Sequence, residues 1–267
     1  MNKLSASAKV YLTIVFIVLY APIFYLIFYS FNSGGSMNNF KSFTLEHYQA
    51  VFEDSRLLVI LINTVIVALL SALISTIIGT LGAIGIVTVK DSKMRNTLLS
   101  LNNVLIVSPD VIIGGASFLI LFTLVGIKLG FASVLLAHVA FSVPIVVLMV
   151  LPKLLEMNNS LIDAALDLGG ATKKDVMMRV ILPYIQPGIF AGFFLALTYS
   201  LDDFAVTFFV TGNGFSTLSV EIYSMARAGI SLTVNAISGL VFFVTVLVVV
   251  GYYFITSRTN KRMEGQR

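Results

Sequence analysis

Apolar side chains run almost unbroken through six stretches, at about residues 8–31, 57–87, 99–125, 129–151, 188–211 and 234–256. Each exceeds the ~20 residues that an α-helix needs to cross a bilayer. The pattern predicts an all-α integral membrane protein with six transmembrane helices and no separate soluble domain. It divides into an N-terminal anchor and outside loop at 1–56, a transmembrane core at 57–256 and a short tail at 257–267. Lys3 and Lys9 precede the first run as in a signal peptide, but the run is long and has no small-x-small cleavage site before Phe31, so it is read as an uncleaved anchor.

Between the runs, the first outside connection carries Ser33-Gly34-Gly35-Ser36 and then an amphipathic stretch, Leu45 to Phe52, expected to form a short interfacial helix. Thr88 to Asn96 reads as a tight charged turn on the inner side. In the second run Ser71, Ser75 and Gly79 recur at helical spacing, which suits close approach of another helix and is read as general bundle packing.

The connection from about 152 to 187 is far longer than a hairpin between spans requires. Ser160-Leu-Ile-Asp163 and Thr172-Lys-Lys-Asp175 both fit the capping-box pattern at a helix start. Gly169-Gly170 lies between them, where a helix C-cap favours glycine. Pro183 and Pro187 are expected to break the chain before the fifth span. The segment therefore predicts two helices joined by a glycine turn. Leu161, Ala164, Ala165 and Leu168 share a face of the first, which either receives a partner or packs on the chain's own spans.

Composition agrees: 58% of the 267 residues are hydrophobic and 11% charged, and the mean hydropathy is +0.98. A pI near 9.2 suggests nucleic acid only until the basic residues are placed. With the amino terminus inside, Lys3, Lys9, Lys90, Lys93, Arg95, Lys153, Lys173, Lys174, Arg179, Arg258, Lys261, Arg262 and Arg267 fall on the inner side. Lys41, Arg56, Lys128 and Arg227 fall outside, so the positive-inside bias puts both termini in the cytoplasm and needs no nucleic acid. The chain has no cysteine, which excludes disulfides and thiolate metal sites.

Asp163-Ala164-Ala165, then Gly169-Gly170-Ala171 and Ile181-Leu182-Pro183, resembles the EAA loop of bacterial ABC importer permeases, and it lies between the fourth and fifth spans as in that family. Asp163 stands in the acidic slot in place of Glu, and the glycine pair adds one residue before Pro183; counting back from Pro183 puts Ala164 in that slot, whereas the Ser160 box favours Asp163. Further along, Ser200-Leu-Asp202-Asp203-Phe204, Phe208-Phe209-Val-Thr-Gly212, Ile222-Tyr223-Ser-Met225 and Val234-Asn235-Ala236 are similar to the spermidine/putrescine permease subunits of that family. The resemblance implies the type I ABC importer permease fold in a bacterial inner membrane. It also implies a multi-pass permease subunit that moves polyamines by alternating access. The partners it implies are cytoplasmic ATPase subunits, a second homologous permease and an extracytoplasmic polyamine-binding protein. Asp163, Ala164, Ala165, Gly169 and Gly170 would couple to the ATPase.

Carboxylates inside apolar runs cost about 2.5–3.5 kcal/mol each when exposed to lipid, so Asp110, Asp202 and Asp203 are expected to face the bundle interior or water. Asp110 lies about 16 Å into the third span and Asp202 about 21 Å beyond Gly188. Spaced carboxylates and aromatic faces suit a flexible chain of ammonium groups, and Tyr199, Phe204 and Tyr223 supply the faces. Adjacent on a helix, the two point about 100° apart, so at most one faces the conduit, and Asp203, which shares a face with Tyr199, is expected to be that one. His138 is either a satisfied packing residue or a proton relay, and Asn63, Asn102 and Asn103 are expected to bond between helices. No nucleotide-binding P-loop occurs, so no ATPase activity or cofactor is expected of this chain. An ion-coupled secondary transporter using the aspartates, an intramembrane hydrolase using His138, and an ABC permease for another substrate are the competing readings.

Overall fold

The computed structural model describes residues 5–107, 114–167, 172–228, 232–243 and 245–247. Asp110, Leu168, Gly169, Gly170 and the tail at 257–267 lie outside the described residues. The described chain is helical, with only an isolated bridge between Asn32 and Phe43. Its helices are α1 (Ala6–Tyr29), α2 (Glu46–Glu53), α3 (Ser55–Thr88), α4 (Ser92–Val107), α5 (Ala116–Val125), α6 (Phe131–Glu156), α7 (Asn159–Asp167), α8 (Lys173–Val176), α9 (Leu182–Asp202), α10 (Ala205–Val210) and α11 (Leu218–Ala228). Helical residues 232–243 and 245–247 follow.

Four helices are long and apolar enough to cross a membrane: Ser7–Tyr29, Ser55–Thr88, Phe131–Glu156 and Lys174–Asp202. Of the third apolar run, α4 and α5 hold most of the described residues. Two units share the chain, one drawn from 1–58 and 222–267, the other from 59–221.

In the first unit, α1 keeps apolar side chains exposed on every side, Val10, Leu19 and Phe24 among them, as a helix facing lipid does. The expected short outer helix is present as α2. The loop before it folds around Asn32, whose amide donates to the carbonyls of Ser36 and Asn39 and accepts from the backbone N–H of Gly34 and Lys41.

In the second unit, α3, α6 and α9 pack around Ala72, Val146, Val150, Ile185 and Ala196. A second cluster joins α3, α5, α6 and α10 through Val67, Phe122, Val134, Val206 and Val210. Glycines set the closeness of these helices. A Cβ on Gly188 would lie 2.9 Å from the Met149 carbonyl oxygen, and one on Gly79 would lie 2.7 Å from Val146 Cβ. The stripe of Ser71, Ser75 and Gly79 is therefore the packed face of α3, with both serines fully buried. Of the three asparagines expected to bond between helices, Asn102 does so, donating across 3.4 Å from α4 to the Pro144 carbonyl on α6.

The long inner connection differs from its expected form. α6 continues through Pro152 to Glu156, so much of the connection is helix. Pro183 and Pro187 do not break the chain either: α8, a π-helical turn at Met177–Ile181 and α9 run on as one helix. Pro183 lacks the N–H owed to the Arg179 carbonyl and its ring crowds that oxygen; widening the preceding turn relieves both.

Candidate functional site

α9 ends at Asp202, and Asp203 turns the chain out of the helix with ψ 116° before α10 begins at Ala205. The supposition that both aspartates sit on one helix is therefore corrected. Four atoms of Asp203 are held at this break. Its N–H reaches the Tyr199 carbonyl at 3.0 Å, and its own carbonyl accepts the Ser219 hydroxyl at 2.6 Å. Oδ2 accepts from the Thr207 N–H at 2.8 Å and the Thr207 hydroxyl at 2.7 Å, while Oδ1 accepts from the Val206 N–H at 3.3 Å. The carboxylate thus satisfies the otherwise unpaired first turn of α10.

Behind it lies His138 on α6, with its ring fully buried. Nε2 lies 2.8 Å from the Thr207 hydroxyl oxygen and 3.5 Å from Asp203 Oδ2. Nδ1 lies 2.6 Å from Ser200 Oγ, which accepts from Ser71 Oγ at 2.9 Å. Thr207 gives its hydrogen to Asp203, so its oxygen accepts from His138 Nε2–H, and Ser200 donates to the bare Nδ1. This assignment of the tautomer satisfies each group from Ser71 to the carboxylate. Both nitrogens of His138 thus have partners, as expected of a satisfied buried histidine.

The neighbouring carboxylate is different in kind. Asp202 is exposed on the last turn of α9 and makes no hydrogen bond or ion pair among the described residues. Tyr199, 52% exposed, stands three residues earlier on the same face. Phe204 lies half-buried with its ring 5.4 Å from that of Phe208. Tyr223 sits on α11 in the other unit, 42% exposed.

Asp203, His138 and Ser200 are the residue types of a hydrolytic triad, but the arrangement is unsuited to that chemistry. Ser200 is 3% exposed, its oxygen already holds the Ser71 hydroxyl, and it meets Nδ1 of the imidazole, where the acid stands in hydrolases.

In the connection at 152–187, α7 presents Asp163 and Ala164 exposed and Ala165 half-buried, with Leu161 and Leu166 also exposed. Much of its apolar face is left uncovered by this chain. Its start is capped by Asn158, whose side-chain oxygen accepts the Ser160 N–H at 3.0 Å. The Ser160 box expected from the sequence does not cap this helix, and the support it lent to Asp163 as the acidic slot is lost. The second box does form. Thr172 N–H donates to Asp175 Oδ2 at 3.0 Å, and the Asp175 N–H donates to Thr172 Oγ1 at 3.3 Å.

Ser71, Ser200 and Thr207 were not recognised as site residues from the sequence. The available signal was Asp203 with Thr207 at a spacing of four, as in a side-chain cap, and hydroxyls recurring within apolar runs.

This chain is 33% identical over 255 residues, 96% of each protein, to the spermidine/putrescine transport system permease protein PotC of Escherichia coli. It is 30% identical over 259 residues to the putrescine transport system permease protein PotI of the same species, covering 95% of this chain and 92% of that one. Among solved structures, a bacterial ABC transporter involved in import of the acidic polysaccharide alginate matches with TM-score 0.71, 19% identity and 94% of each chain. The MetNI methionine ABC transporter matches with TM-score 0.61 and 20% identity, over 75% of this chain and 95% of that one. The fold is accordingly that of ABC importer permeases, and the chain is homologous to polyamine permease subunits. Residues 75–263 match the model of the binding-protein-dependent transport system inner membrane component, and the chain belongs to that family.

Proposed function

We propose that this protein is a permease subunit of an ATP-driven polyamine importer, and that Asp202 with Tyr199 meets an ammonium group of the cargo. The observation that carries the site is the exposed Asp202 carboxylate, unpaired among the described residues, three positions after an exposed tyrosine on α9. A cation placed there gains charge attraction and an aromatic face together. The names of PotC and PotI support spermidine or putrescine as cargo. Asp110, Phe204 and Tyr223 belong to the same proposed pathway.

The subunit crosses the membrane six times with both termini inside, an orientation supported by its basic residues. Labelling of Ser160→Cys by an impermeant reagent from outside intact cells would overturn that orientation. ATP hydrolysis comes from separate cytoplasmic subunits docked on α7 and the glycine pair at 169–170. A second homologous permease and an extracytoplasmic binding protein complete the assembly. A periplasmic protein bound to its sugar accompanies the related alginate transporter.

The test is uptake of radiolabelled spermidine by the whole transporter carrying Asp202→Asn, normalised to the amount of permease in the membrane. The substitution keeps the shape and removes the charge, so uptake falls while insertion and ATPase association persist. Wild-type uptake would sink the acidic pathway.

A further inference from the structure

Asp202 is the last residue of α9, directly before the break at Asp203. We propose that His138 is the positioning residue that fixes Asp202 toward the transported cation, acting through Thr207 and Asp203. This rests on the pathway reading of Asp202 above.

Three observations carry the proposal. First, neither glycine nor proline occurs between Tyr199 and Thr211 to stop the helix, yet α9 ends at Asp202. Asp203 must leave the helix for its carboxylate to close on the N–H groups of Val206 and Thr207, so those bonds define where the last turn of α9 stops. Second, the Thr207 hydroxyl gives its one hydrogen to Asp203, which leaves its oxygen to accept, and His138 Nε2 lies 2.8 Å from that oxygen, placed to donate and to hold the hydroxyl in this rotamer. Third, the imidazole is itself locked. Its other nitrogen lies 2.6 Å from Ser200 Oγ, and Ser200 accepts from Ser71, whose hydroxyl is shared with the Ala68 carbonyl, so α3, α6, α9 and α10 are tied through one polar chain that ends on Asp203.

Along the helices these residues fall between the two apolar clusters: Ser71 between Val67 and Ala72, His138 between Ala137 and Val146, and Ser200 between Ala196 and Val206. A polar chain enclosed by packed apolar side chains has no water to substitute for a lost member, so each link constrains the next. Asp202, one residue before the pinned Asp203 and outside the network, takes its direction from it.

The test is a double-mutant cycle in the complete transporter, with radiolabelled spermidine uptake measured for wild type, His138→Phe, Asp202→Asn and the double variant at equal membrane levels. If His138 acts through Asp202, the single variants slow uptake and the double variant is no slower than Asp202→Asn alone. His138→Gln, which keeps an N–H donor toward Thr207, recovers part of the lost rate. A residue that served packing alone would give multiplicative losses and no recovery by glutamine, and either result overturns the proposal. Wild-type uptake by His138→Phe overturns it as well. Should His138→Phe not reach the membrane, Ser200→Ala replaces it in the cycle; it removes the hydrogen bond to Nδ1 with little change in volume, and it too must show no added loss on Asp202→Asn. Wild-type uptake by Asp202→Asn is a separate outcome: it overturns the pathway reading, and this inference with it.

Discussion

Gly79, Gly82 and Gly85 lie one turn apart on α3, and alanine at each meets a different surface. A Cβ on Gly79 would lie 2.7 Å from Val146 Cβ and 3.0 Å from the Val143 carbonyl oxygen. On Gly82 the nearest contact would be Val147 Cγ2 at 3.7 Å, an ordinary packing distance, and on Gly85 there is nothing within 4 Å. Rotating the Val146 side chain does not relieve the Gly79 clash, because Cβ does not move with χ1. The helices must separate instead. The helix-propensity gain of Gly→Ala is common to the three sites and cancels when they are compared. What remains at Gly79 is overpacking, about 1–3 kcal/mol.

For a chain of roughly this size each kcal/mol moves Tm by about 2–4 °C, so Gly79→Ala should melt about 2–12 °C below Gly85→Ala. Far-ultraviolet circular dichroism of the purified proteins in one detergent reads the difference. Gly82→Ala should melt close to Gly85→Ala. Adding Val146→Ala should not rescue Gly79→Ala, since the offending carbon stays in place. Equal melting of Gly79→Ala and Gly85→Ala would refute the claim that α3 and α6 are in backbone-close contact there.

Two further expectations test the outer loop and the inner helix. Asn32→Asp turns an amide that donates to the carbonyls of Ser36 and Asn39 into an oxygen facing both, at about 1–3 kcal/mol for each orphaned group; trypsin should then cut faster after Lys41 from outside, and an unchanged cutting rate would contradict the cage. Asp163→Lys reverses a charge on the exposed face of α7, so it should lower uptake with membrane insertion intact; normal uptake and normal ATPase association would remove that face from coupling.

What the sequence revealed and what it concealed divide along a physical line. Hydrocarbon demands long apolar helices, so α1, α3, α6 and α9 are legible from composition over a window of about 20 residues. Local hydrogen bonding is legible when both partners are near in sequence: Thr172 and Asp175 form the box their spacing predicts. At α7, Asn158 and Ser160 are both competent caps, and a choice between neighbours two residues apart is too fine for a pattern to settle. The prolines misled in the other direction, because a membrane helix absorbs the missing N–H by widening a turn, as it does at Met177–Ile181.

The Asp202-Asp203 pair shows why the candidate site was the harder part. Both carboxylates stand out for the same reason, charge in an apolar run, and that reason assigns them no separate roles. Their roles part only when groups far along the chain arrive: His138 at 65 residues' remove through Thr207, and Ser219 at the Asp203 carbonyl. One carboxylate is consumed in ending a helix, which leaves its neighbour as the one with charge to offer. The accounting of hydrogen bonds, and not the position of the charge, is what tells the two carboxylates apart.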